Sequence, residues 1–200
     1  ENLPDTPGQG FILLTSHVGN WQLALASLPM LNRKVHLLMR PEENEAVRAA
    51  IRGNIEDDQI RVISPEGALG GVVEMMRALQ QGDIVSMMGD RTYGADGVTV
   101  DFLGEPASFP FSAFHLAAAS GCPVVLLFSA RTGPRRYVVD IPPVYRPAWS
   151  RGLAKREQAR VWVQDYAKRL EAYLAEHPFQ YFIFYDSWME SVQRSKVSPP

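Results

Sequence analysis

The sequence lacks most of the features that would assign it at a glance. It has one cysteine, Cys122, in 200 residues, which excludes an internal disulfide and agrees with a reducing compartment. Lys and Arg number 20 against 22 Asp and Glu, a net charge of -2. No basic block that would track a phosphate backbone is present, so no nucleic-acid partner is expected. No apolar run reaches the roughly 18 residues that span a bilayer. The start, Glu1-Asn2-Leu3-Pro4, has no Met and no basic-then-apolar order of a signal peptide. The natural protein is therefore expected to carry a further N-terminal segment, where a membrane anchor would sit. Gly67-Ala68-Leu69-Gly70-Gly71 lacks dinucleotide or P-loop spacing and reads as a helix start. Asp96 and Asp101 have no second ligand cluster, so no metal is expected.

Hydrophobic residues at 46% and charged residues at 21% describe an ordinary globular chain with a core. One domain over residues 1–190 is expected, with a frayed tail over 191–200. Short apolar runs read as strands at 11–15, 35–39, 60–63, 84–88, 98–102, 123–128, 136–141 and 181–184. Helical patterns fall near Trp21–Leu28, Glu42–Gly53, Ala68–Gln81, Phe111–Gly121 and Leu153–His177. The alternation predicts an α/β layered domain, its central sheet mixed but mainly parallel and flanked by helices.

Ligand sites in such sheets lie at the carboxyl ends of strands. His17 follows the first strand, Arg40 the second and Asp90 the fourth. In Ser16-His17-Val18-Gly19-Asn20-Trp21-Gln22 the turn residues Gly19 and Asn20 lead straight into a helix. A polar side chain five positions on, Gln22, can fix Nδ1–H of His17. That leaves Nε2 to take a proton from a hydroxyl or amine. A lone histidine at a strand end reads equally well as a capping residue.

The His-x-x-x-x-polar pattern resembles the first motif of the glycerolipid acyltransferases, and Ser-His-x-Gly-Asn-Trp resembles the branch of the late bacterial lipid A acyltransferases. Met39-Arg40-Pro41-Glu42-Glu43-Asn44, Met88-Gly89-Asp90-Arg91-Thr92-Tyr93-Gly94, Phe102-Leu103-Gly104-Glu105-Pro106-Ala107, Gly121-Cys122-Pro123-Val124-Val125 and Pro178-Phe179-Gln180-Tyr181 are similar to further segments of that branch, in its order. The resemblance implies acyl transfer from a thioester of acyl-carrier protein or coenzyme A to a hydroxyl or amine of a membrane glycolipid or lipid acceptor. No resident cofactor is implied. It also implies a place on the cytoplasmic face of the inner membrane, peripheral or held by a preceding segment. His17 would be the general base. Arg40 and Arg91 would hold phosphate or carboxylate, with surface ion pairs as the plainer reading. The backbone at Val18-Gly19-Asn20 would stabilise an oxyanion.

One position departs from the pattern. Residue 22 is Gln where the family has an acid. Glutamine can accept from Nδ1–H but brings no charge to support an imidazolium. Either Asp90 supplies the carboxylate, or the chain is a catalytically impaired module that binds acyl lipid or acyl-carrier protein. A hydrolase using His17 on water is a third reading. Cys122 reads as core rather than as a nucleophile paired with His115. His36 and His177 have routine structural uses. The stretch from Tyr145 to Arg169 interleaves seven basic residues with Trp149 and Trp162. It reads either as a helix resting on an anionic membrane or as a covering helix with Val163, Tyr166, Leu170 and Tyr173 on the sheet.

Overall fold

The computed structural model describes residues 8–20, 33–40, 60–66, 68–92 and 97–188. The expected helices near Trp21–Leu28 and Glu42–Gly53, the position Gln22, Asp96 and the tail over 191–200 lie outside the described residues.

Five strands form the central sheet: β1 (Phe11–Thr15), β2 (Val35–Leu38), β3 (Ile60–Ile63), β4 (Ile84–Met88) and β7 (Val124–Leu126), in the order β3-β2-β4-β1-β7. Every pairing among them is parallel. Two antiparallel hairpins add to it: β5 (Gly97–Phe102) with β6 (Glu105–Pro110), and β8 (Phe128–Gly133) with β9 (Arg136–Asp140). The helices are α1 (Val72–Gln80), α2 (Ser112–Ser120) and α3 (Lys155–Glu176). This is the α/β layered domain with a mainly parallel sheet that the strand and helix alternation predicts.

Alternation along each strand sorts the side chains to two faces. Ile12, Leu14, Val85, Met87, Val124 and Leu126 join one buried cluster with Met75 and Leu79 of α1, Phe114 of α2 and Val163, Tyr166 and Leu170 of α3. Phe11, Leu13, Val35, Leu37, Ile84 and Val125 lie in a second cluster on the opposite face. Both faces are apolar, which is why the strands read as continuous hydrophobic runs rather than as alternating ones.

Four elements depart from the sequence reading by more than a residue or two. The helix expected from Ala68 begins at Val72, because Leu69, Gly70 and Gly71 hold φ of 54°, 61° and 75°, outside the right-handed helix. The run Pro123–Phe128 is two strands: the ladder to β1 ends at Leu126, and Phe128 pairs instead with Asp140. Strand β6 was not anticipated from the sequence; its Pro106 and Pro110 sit in a two-stranded hairpin, where an edge tolerates proline. No strand forms over 181–184; a single bridge joins Tyr181 to Val18.

Candidate active site

The site is set by register. β1 and β4 are neighbours, with Thr15 opposite Met88, and the chain continues two residues past each partner to His17 and Asp90. The Gly89 N–H donates to Thr15 O at 2.8 Å, keeping the two strand ends together. A Cβ at Gly89 would lie 2.8 Å from the phenol of Tyr166, so glycine alone lets α3 pass this close. Tyr166, fully buried, donates its hydroxyl to Thr15 O at 3.3 Å.

Asp90 has no exposed surface, whereas His17 keeps 19% of its side chain exposed. The His17 N–H donates to Asp90 Oδ2 at 2.7 Å, and His17 Nδ1 lies 2.8 Å from Asp90 Oδ1. A carboxylate only accepts, so Nδ1 carries the proton and Nε2 is left as the acceptor. Tyr181 lies beside this pair. Its hydroxyl is buried and faces the Asp90 carboxylate. Burial, and then the charge of Asp90, push its ionisation far above the ordinary phenol range, so it stays neutral at any physiological pH.

The loop after His17 is tied on both sides. Gly19 N–H donates to Gln180 O at 2.8 Å, and Phe182 N–H donates to His17 O at 2.7 Å. Ser129 Oγ donates to Val18 O at 3.3 Å. Gly19 holds φ of 59°, and a Cβ there would sit 2.1 Å from Ser129 O. Its amide is thus committed to Gln180. That corrects the expectation that it faces a substrate oxyanion; glycine is needed here for the path of the backbone. Asn20 ends the loop half-buried.

The arginines part company. Arg91 follows Asp90 directly, with its guanidinium 5.0 Å from the Tyr185 ring centroid. Arg40 stands past the end of β2, exposed, with Nε 3.8 Å from Glu66 Oε1. An exposed pair of this length contributes at most about 1 kcal/mol.

The sequence reading missed the strap that covers these strand ends. Residues 180–188 run from the Val18–Tyr181 bridge, past Tyr185 on Arg91 and Thr92, to Trp188. The Trp188 indole stacks on Phe102 at 5.9 Å and donates Nε1–H to Phe102 O at 3.2 Å. The signal was present in Pro178-Phe179-Gln180-Tyr181, but short aromatic runs read as strand and give no partner.

The other candidates stay outside. Cys122 is buried, with its thiol 4.0 Å from Ser120 O. His115 packs on Trp149 and Phe111. His36 bonds Asp83 at 3.0 Å, and His177 packs on Tyr173. Asp101 is tied through its backbone to the Gln164 side chain of α3. Among the described residues no group of three or more His, Cys, Asp or Glu side chains is placed to hold a metal.

The family model of the bacterial lipid A biosynthesis acyltransferases matches residues 2–190. The chain belongs to that family. It is an acyltransferase of lipid biosynthesis, acting with an acyl donor and a lipid acceptor. Among solved structures it is similar to the 1-acyl-sn-glycerophosphate (LPA) acyltransferase PlsC from Thermotoga maritima. That likeness has 17% identity and a TM-score of 0.51, over 87% of this chain and 69% of that one. At that identity the likeness is one of fold. No curated protein matches the chain.

Proposed function

We propose that this lipid A acyltransferase relative moves an acyl group from a thioester of acyl-carrier protein or coenzyme A to a hydroxyl or amine of a membrane glycolipid or similar lipid acceptor. His17 is the general base. The observation that carries the reading is the 2.8 Å contact between His17 Nδ1 and a fully buried Asp90.

The roles follow from the geometry. Asp90 fixes the tautomer and the ring orientation and balances the imidazolium that forms when Nε2 takes the acceptor proton. The deprotonated acceptor oxygen or nitrogen attacks the thioester carbonyl, the C–S bond breaks, and the thiol leaves with a proton returned from His17. No covalent acyl-enzyme is needed. Base catalysis of this kind supplies about 10²–10⁴-fold. Arg40, Arg91 and Asn20, at the same end of the sheet, are assigned to the anionic and polar parts of the two substrates. A buried carboxylate on His17 supports catalysis over the binding-only reading, which depended on Gln22 as the histidine's sole partner. The proposed location is the cytoplasmic face of the inner membrane; no helix among the described residues is long and apolar enough to cross a bilayer.

Release of thiol from an acyl thioester, measured with and without lipid acceptor, tests the proposal. Acceptor-dependent release abolished by His17→Ala is expected. Acceptor-independent release would mean a hydrolase, and no release with tight acyl-lipid binding would mean a binding module.

A further inference from the structure

Two regions of the surface combine cationic and apolar side chains. The first is the start of α3 and the segment before it. Its tryptophans are already occupied: Trp149 and Trp162 pack on each other at 5.3 Å, and His115 closes on Trp149 at 5.2 Å. Arg156 is bound to Gly97 O. The second region lies at the site itself. Phe179, Phe182 and Phe184 are 97%, 46% and 95% exposed, and the main chain between them bonds His17 and Gly19.

Beside these phenylalanines stands the β8–β9 hairpin. Gln180 clamps it, accepting the Arg131 N–H at Oε1 at 2.7 Å and donating Nε2–H to Arg131 O at 3.0 Å. Arg131, Arg135 and Arg136 are all exposed at its turn, and residues 128–139 contain no Asp or Glu. Three exposed aromatics in six residues, next to a turn whose own residues carry only basic charge, form an edge that is apolar and cationic together. Water solvates the first property poorly, and an acidic soluble protein would answer only the second. The interface of an anionic bilayer answers both.

We propose that this edge, the Phe179–Phe184 segment with the β8–β9 turn, is the surface by which the protein sits on an anionic lipid bilayer. The phenylalanines enter the boundary between headgroups and acyl chains, and Arg135 and Arg136 meet headgroup phosphates. The inference rests on the reading of His17 as the acyl-transfer base and adds the route of the acceptor. A lipid whose headgroup lies in this interface reaches His17 from the side, without leaving the membrane.

The test is co-sedimentation with phosphatidylcholine vesicles prepared with and without phosphatidylglycerol. Binding to the anionic vesicles alone, weakened by salt, is expected. The double variant Phe179→Asn with Phe184→Ser should weaken it at least about tenfold; asparagine suits the positive φ of residue 179. Arg135→Glu with Arg136→Glu should do the same, whereas Arg151→Glu with Leu153→Ser should leave binding unchanged. Thermal unfolding of each variant checks the fold. If the α3-side variant abolishes binding, or the phenylalanine variant does not weaken it, the proposal is overturned. It is also overturned if the phenylalanine variant loses binding to acidic acyl-carrier protein but keeps vesicle binding. Acyl transfer to a detergent-dispersed acceptor is assayed in parallel. The phenylalanine variant should retain it, and a wild-type chain that binds vesicles but transfers nothing would defeat the catalytic reading and leave the docking edge standing.

Discussion

Asp90 holds His17 at two points, by the main-chain N–H at 2.7 Å and by the ring Nδ1 at 2.8 Å. The first contact anchors the strand end and the second aims the ring, so one buried carboxylate sets both position and tautomer.

Asp90→Asn should therefore lower acyl transfer about 10²–10⁴-fold, because an amide can hold the wrong tautomer and brings no charge. Gln22→Ala should cost far less. Steady-state rates of acceptor-dependent thiol release decide between them, and equal losses would contradict the assignment of Asp90.

Gly19→Ala should destabilise the protein by more than about 2 kcal/mol. The new Cβ would meet Ser129 O at 2.1 Å, at a φ of 59°. Urea denaturation measures the loss. Since the loop carries His17, activity should fall even in the fraction that stays folded.

Tyr145→Phe should make stability less dependent on pH. The Tyr145 hydroxyl and Arg169 Nε both donate to Asp165 Oδ2. Partial burial acts to raise the ionisation of Asp165, yet these two bonds together with the charges of Arg169 and Lys168 outweigh it and hold the carboxyl below its ordinary value. A depressed carboxyl contributes stability that is present above its unfolded value and lost as pH falls through the folded one. Asp165 is 48% exposed, so the effect is small. Melting temperatures of the two proteins should differ at neutral pH and converge in acid.

Cys122→Ala should leave acyl transfer unchanged within about twofold, since the thiol is buried and contacts the Ser120 carbonyl. Loss of activity at unchanged stability would return Cys122 to the list of reacting groups.

Much of the fold was legible from local chemistry. The strands at 11–15, 60–63 and 84–88 were bounded correctly because each apolar run is flanked by turn residues. Tyr166 and its neighbours on α3 were readable as a covering face because helical spacing puts them on one side. The run 123–128 was read as one strand, since uniform apolarity records burial and not the partner. The same blindness made a strand of Tyr181–Phe184.

By itself the sequence determined the α/β alternation, the order of the family motifs and the placing of His17, Arg40 and Asp90 after their strands. Those follow from short-range periodicity and turn chemistry, which any local window contains. Only the tertiary structure decided that β1 and β4 are neighbours. That adjacency brings His17 to a carboxylate 73 positions away in the chain, commits the Gly19 amide to Gln180, and leaves Phe179 and Phe184 bare beside the site. Contact across such a distance depends on sheet order and register, which are settled by packing of the whole core and not by any one segment.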